Sequence, residues 1–232
     1  MLHVRTKAVV VAACGALSLS TPAPAETCDR FEELFATTPA PPQNPAQWRF
    51  YSERLAAATP GNYDLLLLGD SLAQLWPDAS LSPLKVANLG LGGDSTQHLL
   101  WRLASPEMNT LKPSKVLFVI GTNNLVTGSQ PCAIVAGIAT IIRKSKETWP
   151  SAQLVFLEIP PSGADFMSNN NRRLEINAAV RLIPGVKTIN VDNAITCGWQ
   201  APCVNYADDH LHFHEPGYRV LGKAAHDALF RD

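Results

Sequence analysis

The chain has 232 residues, a formal net charge of −1 and 46% hydrophobic residues. That balance suits a folded domain with a sizeable core, and the absence of a basic run speaks against a nucleic-acid partner. After the first 25 residues no stretch is long and apolar enough to cross a membrane, and no Cys-x-x-Cys pair suggests a zinc or redox centre.

Arg5 and Lys7 precede an apolar run, Ala8–Leu19, and Ala23-Pro24-Ala25 follows with small residues. A cationic start, a short apolar stretch and an Ala-x-Ala end read as a signal peptide over residues 1–25, cleaved after Ala25, and so as a secreted or periplasmic protein. Val11-Ala12-Ala13-Cys14 is a faint lipoprotein box, but the apolar run before Cys14 is very short. Residues 26–232 read as one domain. It starts with a Pro-rich irregular arm, 26–47, holding Pro39, Pro41, Pro42 and Pro45 and one helical turn near Phe31–Phe35.

Trp48–Ala58 has helical spacing (Trp48, Tyr51, Leu55) and runs into the turn Pro60-Gly61-Asn62. Strands and helices then alternate. The strands are Asp64–Leu68, Lys85–Leu89, Lys115–Ile120, Gln153–Ile159 and Lys187–Val191; the helices are Leu72–Leu75, Thr96–Leu103, Cys132–Trp149, Asn169–Leu182 and Glu215–Phe230. Five apolar strands separated by helices predict an α/β fold with a five-stranded parallel sheet covered on both faces. Right-handed crossovers put the chemistry-bearing strand ends on one edge. Four cysteines follow the signal segment. Cys197 and Cys203 flank a loop-like stretch and are expected to pair in an oxidising compartment, which leaves Cys28 with Cys132 as a bridge or as two separate thiols.

Four segments converge on that edge. Gly69-Asp70-Ser71 ends the run Leu65-Leu66-Leu67-Leu68, so Ser71 opens the next helix and offers both a hydroxyl and an unpaired N–H. A strand-ending Ser is also a common N-cap. Asn88-Leu89-Gly90-Leu91-Gly92-Gly93-Asp94-Ser95 is a Gly-rich turn able to present N–H groups to an anion, or simply a tight turn. It lacks the third small residue of the dinucleotide fingerprint. In Gly121-Thr122-Asn123-Asn124, the Asn123 amide can donate to developing negative charge or stay a local turn residue.

The last is Asp208-Asp209-His210-Leu211-His212-Phe213-His214. A turn there lets the Asp209 carboxylate reach Nδ1 of His212 and leaves Nε2 free for Ser71. A metal site is the competing reading, because alternation on an extended segment points His210, His212 and His214 to one face. A solvated polar loop is the third. Leu72 and Leu211 adjoin Ser71 and His212 and are candidates for narrowing an acyl pocket, or for core packing. Trp76, Trp101 and His98 read first as packing or structural residues.

The four segments, each at a strand end, resemble the blocks of the SGNH (GDSL-type) hydrolases, and the run Asn88–Leu103 is similar to that of the catalytic subunits of intracellular platelet-activating-factor acetylhydrolase. The resemblance covers about residues 48–230. It implies a flavodoxin-like three-layer α/β/α fold with strand order 2-1-3-4-5. It also implies Ser71 as nucleophile, His212 as base with Asp209 as its partner, and Gly93, Asn123 and the Ser71 N–H as oxyanion donors. A homodimer is compatible with it.

The resulting expectation is an exported serine esterase with no cofactor or metal. It would act on short-chain esters, with an acetylated carbohydrate or other small molecule as substrate. A lysophospholipid or aryl ester is the rival substrate. A carbohydrate-binding protein on a hydrolase fold and a metal-dependent hydrolase are the rival classes.

Overall fold

The computed structural model describes residues 28–42 and 44–230, so the signal segment expected over 1–25 lies outside the described residues. Five strands form one sheet: β1 (Gly61–Gly69), β2 (Val86–Gly90), β3 (Leu111–Val119), β4 (Gln153–Leu157) and β5 (Lys187–Ile189). All pairings are parallel and the order is β2-β1-β3-β4-β5. Central β1 has β2 on one side and β3 on the other, with Leu66 facing Ala87 and Val116 in register.

Nine helices flank the sheet among the described residues: α1 (Arg30–Thr37), α2 (Pro45–Ala58), α3 (Ser71–Gln74), α4 (Thr96–Leu103), α5 (Thr122–Val126), α6 (Pro131–Thr148), α7 (Asn170–Val180), α8 (Asp192–Ile195) and α9 (Glu215–Phe230). The period-2 geometry of a strand explains why β1 is four consecutive leucines. Leu66 and Leu68 pack with Val116, Phe118, α4 and α6 in one core, while Leu65 and Leu67 pack with Leu117, α3 and α9 in the other. All four are fully buried, each stabilising the fold by roughly 1.5–3 kcal/mol before entropy is counted. The outcome is the three-layer α/β/α architecture.

The arm is more ordered than its prolines suggest. Asp29 caps α1 by accepting from the N–H groups of Phe31 (2.8 Å) and Glu32 (3.1 Å), which sustains eight helical residues rather than one turn. Asn44 caps α2 with Pro45 at its first position, so that helix starts three residues before Trp48. The arm is also tied down. Cys28 is bonded to Cys132 at the start of α6, and Asp29 N–H donates to Gln130 Oε1 at 2.8 Å. Thr96 Oγ1 donates to Ala36 O at 2.8 Å and Ala40 N–H to Gln97 O at 3.1 Å. The second bridge, Cys197–Cys203, closes the loop after α8.

Strand limits differ from the apolar runs in instructive ways. β1 and β3 begin earlier, at Gly61 and Leu111, because they pair with each other before either becomes apolar. β4 stops short of Ile159: the Ile159 N–H is taken by the Asn177 side chain at 2.9 Å, which draws the chain out of the sheet.

Candidate active site

The site sits at the carboxyl edge of the sheet, built by the turns after β1, β2 and β3 and by the loop before α9. β1 exits through Gly69. A Cβ there would fall 1.9 Å from the Val119 carbonyl oxygen of the neighbouring strand, so only glycine lets the two strand ends close up. Asp70 follows as N-cap of α3, accepting from Leu72 N–H at 2.9 Å, and Ser71 becomes the first residue of the helix. Asp70 is buried and its Oδ2 has no partner among the described residues; burial pushes its carboxyl up to about 7 against the opposing Leu72 N–H bond.

Ser71 Oγ lies 2.8 Å from His212 Nε2, across 141 residues of chain. His212 Nδ1 lies 2.5 Å from Asp209 Oδ2. An ionised carboxylate only accepts, so Nδ1 carries the proton and Nε2 accepts from the serine hydroxyl. Asp209 Oδ1 also accepts from the N–H groups of Leu211 (3.0 Å) and His212 (2.9 Å). Burial acts to raise the Asp209 carboxyl, but the His212 ring and these two N–H groups outweigh it and hold it at about 2. The loop is anchored to the serine helix by Tyr218, whose hydroxyl donates to Leu72 O at 3.2 Å.

Three donors face the same cleft of about 440 Å³ as Ser71 and His212. Gly93 stands at φ +81°, with nothing among the described residues within 4 Å of where a Cβ would be, so its glycine answers a backbone requirement and not a steric one. Among the described residues neither the Gly93 nor the Ser71 N–H has a hydrogen-bond partner. The Asn123 side-chain amide donates one hydrogen to the Asp94 carbonyl at 2.7 Å, which fixes the amide and leaves its second hydrogen available. The turn is held from below. Gly92 N–H donates to Gln74 Oε1 at 2.5 Å, and the buried Asp94 carboxylate pairs with Arg102 at 2.6 Å. Arg102 also donates to the strand-end carbonyls of Leu89 (2.7 Å) and Gly69 (3.1 Å).

Not every candidate comes to the cleft. Leu211 lines it; Leu72 does not, because the inner face of the short α3 turns that side chain into the core beside α9. His210, His212 and His214 do not converge. His210 adopts φ +54°, which breaks the extended alternation a shared face would need, and among the described residues no three His, Cys, Asp or Glu side chains are placed to hold a metal ion. Trp76 is buried and donates to Ser80 Oγ at 2.7 Å, and Trp101 packs edge-on against Trp48. Three lining residues escape a motif reading. Asn44 and Gln47 reach the cleft from the arm, where the Asn44-Pro45 cap-and-proline signature marks a helix start without saying what it faces. His98, on α4, also lines the cleft, with Nδ1 accepting from Ser95 N–H at 3.1 Å.

Residues 59–220 match the model of the GDSL-like Lipase/Acylhydrolase family. The chain is 30% identical over 213 residues to platelet-activating factor acetylhydrolase IB subunit alpha1 of Bos taurus, covering 86% of this chain and 91% of that protein. It is 27% identical over 177 residues to the alpha2 subunit of Rattus norvegicus, covering 72% and 76%. Among solved structures it shares its fold with a GDSL-like lipase from Bacteroides thetaiotaomicron (TM-score 0.65, 15% identity, 79% of this chain and 97% of that one). A Geobacillus acetyl-xylooligosaccharide esterase variant is a further fold neighbour (TM-score 0.59, 13% identity, 72% and 94%).

Proposed function

Because the chain belongs to the GDSL-like lipase/acylhydrolase family and is thus a carboxylic ester hydrolase, we propose that it is an exported serine esterase acting on short acyl esters through Ser71, His212 and Asp209. The hydrogen-bonded series Ser71 Oγ–His212 Nε2–Asp209, at 2.8 and 2.5 Å, carries this reading. Ser71 Oγ attacks the ester carbonyl carbon while His212 Nε2 takes its proton. The tetrahedral oxyanion is met by the Ser71 and Gly93 N–H groups and the Asn123 amide, donors fixed before charge develops. Collapse expels the alcohol, which takes the proton back from His212. Water then hydrolyses the acyl-enzyme by the same route. No metal or cofactor enters the scheme.

Export is supported by the cationic-apolar N-terminal pattern and by the two disulfides. An acetyl-sized acyl group fits a cleft whose large apolar side chains, among the described residues, are Pro42 and Leu211, and acetyl esters appear in the names of both the curated relatives and one fold neighbour. We place an acetylated carbohydrate first. A phospholipid acetyl ester is the second reading, favoured by the name of the relatives alone.

The test is p-nitrophenyl acetate hydrolysis by the mature protein in EDTA, beside Ser71→Ala. Activity that survives the chelator and disappears in the variant supports the scheme. Activity intact in Ser71→Ala overturns it, and so does loss of activity to EDTA alone.

A further inference from the structure

The cleft has a wall that the hydrolytic scheme does not use. Asn44, Gln47 and His98 all line it, and each carries a polar group without a partner among the described residues. Asn44 spends its Oδ1 on the N–H groups of Ala46 (2.9 Å) and Gln47 (3.4 Å), so its amide nitrogen is the end left to donate. Gln47, one helical turn on, has no side-chain hydrogen bond among the described residues. Its Nε2 lies 3.0 Å from where a Cβ of Gly92 would be, so glycine at 92 is what lets the Gln47 amide settle on the loop that carries Gly93. His98 comes from α4. Its Nδ1 already accepts from Ser95 N–H, so the neutral ring bears its proton on Nε2, and burial lowers its pKa and keeps it neutral.

Building on the serine esterase reading, we propose that Asn44, Gln47 and His98 form the subsite for the alcohol half of the ester, and that this alcohol is polyhydroxylated. Three neutral side chains that between them donate and accept suit vicinal hydroxyls, each of which also donates and accepts. They do not suit the alternatives. Among the described residues no lysine or arginine lines the cleft to meet a phosphate, and Pro42 and Leu211 are the large apolar side chains there, too few to cover an acyl chain or a lipid tail. The wall is also fixed before substrate arrives. The arm bearing Asn44 and Gln47 is held by the Cys28–Cys132 bridge and by its hydrogen bonds to Thr96 and Gln97, residues adjoining His98 on α4.

The experiment compares kcat/KM for an acetylated xylo-oligosaccharide, p-nitrophenyl acetate and an acetyl-glycerophosphocholine ester in the wild type, Asn44→Asp, Gln47→Ala and His98→Ala. Asn44→Asp keeps an oxygen that caps α2 while replacing the donor with a charged acceptor, so the helix cap survives and the donor is lost. Each loss raises KM for the sugar ester about five- to tenfold with kcat little changed, and the sugar-to-aryl kcat/KM ratio falls accordingly. Two results overturn the subsite: an unmoved ratio in all three variants, or a wild type that prefers the phosphocholine ester. If p-nitrophenyl acetate activity persists in Ser71→Ala, the underlying esterase reading fails as well; a Ser71-dependent activity with an unmoved ratio removes the subsite alone.

Discussion

Replacing Arg102 with methionine tests how the fold supports the site. Arg102 is fully buried, stacked 4.7 Å over the Tyr51 ring, and joined to the equally buried Asp94 and to the carbonyls of Gly69 and Leu89 near the ends of β1 and β2. Methionine keeps much of the contact with Tyr51 but leaves the Asp94 carboxylate unpaired in the core. Breaking a buried ion pair from one side costs about 3–5 kcal/mol. For a domain of this size each kcal/mol corresponds to roughly 2–4 °C, so Tm should fall by roughly 6–20 °C. Asp94 also holds Asn123 through its backbone carbonyl, so kcat should fall with stability. Thermal melts followed by circular dichroism give the first quantity and p-nitrophenyl acetate kinetics at 25 °C the second. Adding Asp94→Asn to Arg102→Met removes the orphaned charge and should recover more than about 1 kcal/mol of the loss. A single variant melting within 3 °C of wild type, or a double variant no more stable than the single one, would refute the argument.

Two further outcomes follow from the site. Asn123→Ala should lower kcat about 10²–10³-fold while KM stays within about threefold, because the amide is needed only as charge develops; a defect confined to KM in steady-state kinetics would count against an oxyanion role. The Asp70 carboxyl is raised to about 7 by burial from an ordinary 3.8. Between those values the folded protein binds a proton that the unfolded chain lacks, so this group's contribution is complete below pH about 4 and is lost as pH rises through about 7. Asp70→Asn should therefore flatten the decline of Tm between pH 5 and 8, and an unchanged slope would show that the buried carboxyl is not its source.

What was legible in the chain was whatever a strand, turn and helix write into consecutive residues. The Leu65–Leu68 run declares a strand buried on both faces, and Gly69-Asp70-Ser71 declares its exit. Asp209 and His212 are three apart, so their contact needs only a local turn. Illegible were the features that depend on distant packing. Arg102 reads as a charge on a helix, and only the folded sheet shows it closing two strand ends. Leu72 neighbours Ser71 in sequence yet faces the opposite way, since α3 is a single turn. The histidine alternation suggested a shared face, but the left-handed backbone at His210 rotates the pattern apart. The prolines of the arm hid the length of one helix and the capped start of the next, and with them the residues that wall the cleft.

The separation of Ser71 from His212 also sets an order of events. A chain made from its N-terminus completes all five strands by Ile189, with the serine turn, Gly93 and Asn123 already in hand, while His212 and the Tyr218 anchor have yet to be made. On the proposed scheme the Ser71 hydroxyl is then present without its base. The imidazole is supplied by the loop just before α9, so turnover in a translation mixture should appear only once that loop is made and Tyr218 has anchored it to the serine helix.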